Sequence, residues 1–136
     1  MPNYTDINKS FGVYKVFDLI NANWNTDNPI SPVPKICYPN QEYKETANEY
    51  WIKTRFTIGE RLKYQGIGDI QFILTCPANK GAGNGLELMA FLGRIVDEKQ
   101  IDNVWTDRLT IPVAEDYNDS YIIVANLIFH VNFCGI

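Results

Sequence analysis

The sequence predicts an α+β domain: a mostly antiparallel sheet of four to five strands with two helices packed on one face. Three observations predict it. Apolar residues recur at helical spacing in two separate stretches, one near the start of the chain and one past its middle. Between and after them, long stretches alternate apolar and polar residues with the period of a strand. Proline and glycine punctuate the joins.

Thr5 to Trp24 reads as the first helix, with Val13, Val16, Phe17, Ile20 and Trp24 on one stripe and Ile7 and Phe11 extending it. Thr5 or Asp6 is placed to cap its start. Gly12 weakens the helix by about 1 kcal/mol relative to Ala. Asn25 to Pro34 holds three prolines and reads as a loop. A short strand, Lys35 to Tyr38, ends at Pro39 and Asn40.

Tyr50 to Lys63 reads as a long strand. Tyr50, Ile52, Thr54, Phe56 and Ile58 form its core face, and Trp51, Lys53, Arg55 and Thr57 point the other way. Gly66 and Gly68 predict a bend before a third strand, Asp69 to Cys76, closed by Pro77. A glycine-rich segment, Ala78 to Gly85, precedes a helix over Leu86 to Lys99 with Leu88, Met89, Leu92, Ile95 and Val96 on its apolar stripe. Asn84 and Glu87 have the spacing of a capping box. Arg108 to Ala114 is a strand edged by Pro112, and 117–120 is a turn. In the last strand, Tyr121 to Phe133, the odd positions are apolar throughout. The even positions turn polar only at Asn126, His130 and Asn132, which suits a central strand or one meeting a neighbouring subunit.

The 136 residues fit one domain, 1–136, large enough to bury a core without disulfide or metal staples. A hydrophobic fraction of 46% with 21% charged residues describes a folded chain. The net charge is −4, and the 12 Lys and Arg are scattered, which argues against a phosphate-backbone binder. Cys37, Cys76 and Cys134 are widely spaced in apolar surroundings, so buried free thiols in a reducing compartment are expected and a zinc site is not. The stretch Met1 to Asp6 has no basic n-region or apolar run of a signal peptide. The longest apolar run, Tyr121 to Ala125, is too short for a bilayer. A soluble protein made in the cytoplasm, with no membrane partner, is expected.

No catalytic, cofactor or metal site is predicted. His130 is the sole histidine, and Cys134, four residues on, lies about 13 Å away along a strand, too far for a dyad. Lys80 to Gly85 sits where phosphate loops sit, between a strand and a helix. It matches neither the Walker A pattern nor the dinucleotide fingerprint, since its glycines are Gly81, Gly83 and Gly85. A phosphate- or nucleotide-binding enzyme using this loop is the reading from a different class. Glu115-Asp116 and Asp97-Glu98 are adjacent in sequence, so each pair diverges and reads as solvated surface. Tyr38, Tyr43, Trp51, Tyr64, Trp105 and Tyr121 exceed what one small core needs, and Tyr and Trp favour protein interfaces. The residues expected at a subunit or partner interface are Trp51, Lys80, Gly81, Gly83, Asn84, Trp105 and Tyr121.

The order of segments resembles that of bacteriophage tail terminator-like proteins. After a first helix comes a strand leading into Tyr38-Pro39-Asn40-Gln41-Glu42-Tyr43, then a strand with an aromatic near its start, Tyr50 to Phe56. A glycine-led strand, Gly66 to Pro77, runs into the Ala78–Gly85 segment, a helix over Leu86 to Val96, and a final strand, Tyr121 to Phe133. The likeness covers about residues 35–133 and rests on order and spacing. This chain departs from the family in opening that helix with Leu86-Glu87-Leu88 and in its Pro-rich 25–34 loop. The resemblance implies a virion structural protein without catalytic activity or cofactor. Its subunits form a homohexameric ring that caps the tail tube, stops its polymerisation and offers a docking surface to the head. The implied partners are copies of itself, the major tail tube protein and the head–tail connector protein. DNA passes through the lumen without specific binding, which an acidic chain suits. The implied location is the virion tail, and the host cytoplasm during assembly. Another phage neck or tail-tube protein is the alternative from the same virion.

Overall fold

A computed structural model gives the fold and describes residues 12–39, 49–61, 64–77, 80, 82–117 and 120–132. Helix α1, Val13–Asn23, buries Val13, Val16, Phe17 and Ile20, and Trp24 follows on the same stripe. Gly12 precedes it with φ 80, in the left-handed region. A Cβ there would come within 2.7 Å of Val104 Cγ2, so both backbone and packing select glycine. The Thr5–Phe11 part of the expected helix, with its candidate caps, lies outside the described residues.

The loop after α1 is tied down locally. Trp24 Nε1 donates to the Pro34 carbonyl at 2.7 Å, and Asn28 Nδ2 donates to the Trp24 carbonyl at 3.1 Å. The chain then enters β1, Lys35–Cys37, which runs parallel to β2, Trp51–Arg61. Thr54 Oγ1 donates to the Cys37 carbonyl at 2.8 Å, which satisfies a buried hydroxyl and pins the end of β1.

Strand β3, Gln65–Pro77, pairs antiparallel with β2 on one side and with β7, Ser120–Asn132, on the other. The β3–β7 ladder is unbroken from Gln65↔Asn132 to Pro77↔Ser120. The far edge of β7 is shared: β6, Thr110–Tyr117, takes its first half, and β5, Val104–Thr106, takes residues 129–131. A two-residue strand β4, Gln100–Ile101, pairs with β5. The central position expected for the last strand is thus its place in the sheet.

Helix α2, Ala82–Val96, packs with α1 over one face of this sheet. The even positions of β2 and β3 and the odd positions of β7 point into the core. Ile52, Ile70, Phe72, Leu74, Ile123, Leu127 and Phe129 are fully buried there, against Phe17, Ile20, Leu88, Met89 and Leu92 from the helices. Each such side chain contributes roughly 1.5–3 kcal/mol relative to an exposed one. The fold is α+β with both helices on one face, as expected.

The details differ in physically instructive ways. Among the described residues the sheet has seven strands, since β4 and β5 add a short hairpin that carries no alternation long enough to read. The pairing of β1 with β2 is parallel, so the sheet is mixed. Gly66 and Gly68 lie inside β3 and make no bend. A Cβ on Gly68 would collide with the Phe129 ring, so this glycine admits an aromatic from the neighbouring strand. Helix α2 starts four residues earlier than expected, at Ala82, and takes in Gly83, Asn84 and Gly85. Asn84 is therefore inside the helix and forms no capping box; its Nδ2 reaches the Lys80 carbonyl at 3.5 Å. Asp97 is not simply solvated, because its Oδ1 accepts the Leu109 amide at 2.7 Å. Glu98 pairs with the exposed Arg108 at 3.0 Å. The side chains of Glu115 and Asp116 lie outside the described residues.

Candidate functional site

The helices cover one face of the sheet. On the other face, side chains from β2, β3 and β7 line up in rows set by register. From one end these rows are Trp51–Thr75–Ile122, Lys53–Ile73–Val124, Arg55–Gln71–Asn126 and Thr57–Asp69–Ile128. Trp105 and His130 follow at the far end. Among the described residues, no helix lies over this open face. It mixes large apolar groups with charge: Ile67 and Ile128 are 37% and 42% exposed, while Trp51, Ile73, Ile122 and Val124 are half-buried.

Its polar groups are partly satisfied. Arg55 Nε donates to Gln71 Oε1 at 2.5 Å. Asp69 Oδ1 and Asn126 Oδ1 are buried without a hydrogen-bond partner among the described residues. Burial pushes the Asp69 carboxyl above the ordinary value of 3.8. Asp69, Thr57, Gly59, Ile67, Gly68 and Ile128 line a shallow depression of about 290 Å³. An orphaned acceptor at the edge of an apolar depression accommodates a donor from a facing surface.

The residues expected at an interface divide between the two ends of the sheet. Trp51 begins β2, and Tyr121 begins β7 opposite Cys76 at the end of β3. Lys80 and Asn84 stand at the same end: Tyr50 Oη donates to the Lys80 carbonyl at 2.8 Å, and Asn84 reaches the same oxygen. Burial raises the Tyr50 hydroxyl, opposed by its hydrogen bond with Asn84. Trp51, Lys80, Asn84 and Tyr121 are thus brought to one end, although Trp51 faces the open side and Tyr121 the core side. Gly83 is exposed on α2 with open space around it. Gly81 lies outside the described residues. Trp105 is separated from this group by about 30 Å along β7. There its ring stacks on His130, with centroids 5.1 Å apart and planes 8° from parallel.

His130 Nε2 lies 3.1 Å from Asp107 Oδ2, so the histidine is held by an aromatic face and a carboxylate. Cys134, and Tyr43 among the aromatics, lie outside the described residues. Tyr38 is not at an interface in this fold: it is 4% exposed, packed on Phe17 with centroids 5.1 Å apart. Tyr64 is exposed. Cys37 and Cys76 are buried free thiols, and burial pushes Cys76 up to about 11. Among the described residues, no group of three or more His, Cys, Asp or Glu side chains is placed to hold a metal ion. No described helix is long and apolar enough to cross a membrane.

Sequence reasoning singled out Trp51 and Tyr121 by their aromatic character, two residues that the structure sets at one end of the sheet. It missed Asp69 and Asn126, which look like ordinary polar positions of an alternating strand until the register places them mid-sheet. Within the glycine-rich segment, Gly85 serves packing. A Cβ on Gly85 would collide with Cys76 Sγ and come within 3.1 Å of Ile123 Cδ1, so the first turn of α2 lies directly on the sheet.

Fold and open face together define a compact α+β unit with a mixed sheet and a one-sided helix layer. No protein-family model and no curated protein matches the sequence. A solved structure whose name carries no functional information is similar over 86% of this chain and 96% of its own, with a TM-score of 0.63 and 14% identity. That likeness concerns the fold alone.

Proposed function

We propose that this protein is a structural subunit of a phage virion that assembles into a ring on the tail tube. There it ends tube polymerisation and offers the docking surface for the head. The mechanism is steric: covering the growing end leaves no surface for the next tube subunit. The ring contacts further copies of itself, the major tail tube protein and the head–tail connector protein, and lets DNA through an acidic lumen. The protein has no catalytic role in this reading.

One observation carries the self-assembly part. The open sheet face pairs half-buried apolar rows with Lys53 and Arg55 on one side and Asp69 in the middle. A second copy supplies apolar cover, a cation for Asp69 and a carboxylate for the basic side; where that copy uses a different surface, the head-to-tail contact closes into a ring when the rotation between copies is right. The order of segments along the chain supports the address in the tail.

Light scattering on a sizing column near physiological salt tests it. A discrete hexamer is expected, and Ile128→Lys, at an already exposed position opposite Asp69, is expected to dissociate it while the circular dichroism spectrum stays that of the wild type. Added to polymerising tail tube protein, the wild type is expected to shorten the tubes. Open-ended fibres of the protein alone favour a tube subunit. A monomer that leaves tube growth unaltered overturns the reading.

A further inference from the structure

We propose that the cleft between the C-terminal halves of α1 and α2 is a docking site for an acidic segment of a partner protein, one with an apolar side chain flanked by carboxylates. The cleft holds about 500 Å³ on the helix side of the molecule, away from the open sheet face. Leu19, Phe91 and Ile95 give it an apolar floor, and Arg94 and Lys99 stand on one rim with Asp27 on the other. The volume suits two or three side chains.

The floor is rigid. Phe91 is 6% exposed and packs against Trp24 with centroids 5.7 Å apart, so both helices fix its position. The Arg94 guanidinium lies 5.8 Å from the centre of the Phe91 ring. This contact holds the cation beside the apolar floor and leaves its N–H groups free for a carboxylate. Lys99 follows the end of α2 on the same rim. Neither cation has a carboxylate within 4.0 Å among the described residues.

Charge sets the direction of the occupant. Arg94 and Lys99 attract carboxylates on their rim, and Asp27 repels them on the other, so the acidic end of the segment is fixed beside α2. A basic segment meets two like charges at that rim. Arg94 also offsets the partial negative charge at the end of its helix. That role uses its charge but not its stacking on Phe91 beside a cleft.

The test uses the full chain and a defined probe, an acetylated hexapeptide with two glutamates on either side of a Leu-Phe pair. A control peptide carries lysines in place of the glutamates. Amide shifts of the isotope-labelled protein are followed by NMR as peptide is added. The expected result is saturable shifts confined to residues 19–27 and 91–99, absent with the basic control and weakened by added salt. Arg94→Glu with Lys99→Glu is expected to weaken binding about tenfold, the loss of two partly exposed ion pairs. Both side chains are exposed, and a circular dichroism spectrum matching the wild type confirms the fold. Should the double variant fail to fold, Arg94→Gln alone is expected to give part of the same loss. Equal binding of the basic peptide, shifts elsewhere, or none at millimolar peptide overturns the proposal. So does saturable binding of octanoate at the cleft without binding of the peptide, which assigns the site to a small amphiphile.

Discussion

Gly83 and Gly85 stand two residues apart in the first turns of α2, yet they meet opposite surroundings. A Cβ on Gly83 meets nothing within 4 Å. One on Gly85 collides with Cys76 Sγ and lies 3.1 and 3.3 Å from Ile123 Cδ1 and Leu74 Cδ2. Replacing either by alanine stiffens the helix by the same amount, about 0.5–1 kcal/mol. Only Gly85→Ala also forces a methyl into a packed interface, which costs about 1–3 kcal/mol. Gly83→Ala is therefore expected to stabilise by about 0.5–1 kcal/mol. Gly85→Ala is expected to lie about 1–3 kcal/mol below it, a gap of about 3–10 °C in Tm for a chain of this length. Urea unfolding followed by circular dichroism measures both. Because Sγ is the nearest obstacle, adding Cys76→Ala to Gly85→Ala is expected to recover part of the loss beyond the sum of the single effects. Equal stability of the two single variants refutes the close approach of α2 to β3, and with it the packing reason for Gly85.

Two further outcomes follow from buried polar groups. Thr106 Oγ1 donates to the Val96 carbonyl at 2.5 Å and accepts the Lys99 amide at 2.9 Å. Thr106→Val keeps the shape but strips both partners, and a loss of about 1–3 kcal/mol in urea unfolding is expected; a loss below the scatter of the measurement removes the role given to the hydroxyl. Asp69→Asn removes a charge whose folded-state pKa lies above its ordinary 3.8 because of burial. For an acid raised on folding, ionisation disfavours the folded state as pH climbs through the folded pKa, and the effect vanishes below the unfolded value. Asp69→Asn is thus expected to raise the urea midpoint at about pH 7 and leave it unchanged at about pH 3; an equal gain at both locates the effect in packing.

Much of this fold was legible before any coordinates. The stripe Val13, Val16, Phe17, Ile20 and Trp24 is buried throughout, as are Leu88, Met89, Leu92, Ile95 and Val96. Periodicity reports burial directly, because one face of each element must leave water. The β4–β5 hairpin was not legible: its strands have two and three residues, too short for a period. It is fixed instead by distant contacts, Asn103 Nδ2 donating to the Asn132 carbonyl at 3.1 Å and Lys15 pairing with Asp102 at 3.6 Å. Glycine was ambiguous for a different reason. The missing side chain that permits a turn also permits a close approach, and only a neighbour such as Phe129 or Cys76 decides between them. The open face was half legible. The alternation of Tyr121 to Phe133 showed an apolar second side, but the rows that set Asp69 beside Ile128 depend on register between strands far apart in sequence.

The strand that holds the sheet together is also the last described element to be synthesised. Its ladder with β3 joins residues from 43 positions apart, Pro77 with Ser120, to 67 apart, Gln65 with Asn132. Until β7 leaves the ribosome, β3 has only β2 beside it, and β5 and β6 have no partner strand joining them to the sheet. The nascent chain therefore carries the apolar faces of β2, β3 and both helices without their central element. Folding closes in one late, long-range step, of the kind that proceeds slowly and leaves unpaired edges exposed while it waits. A chain built this way completes its open sheet face only once β7 is in place, because β7 supplies the Ile122, Val124, Asn126 and Ile128 positions of every row.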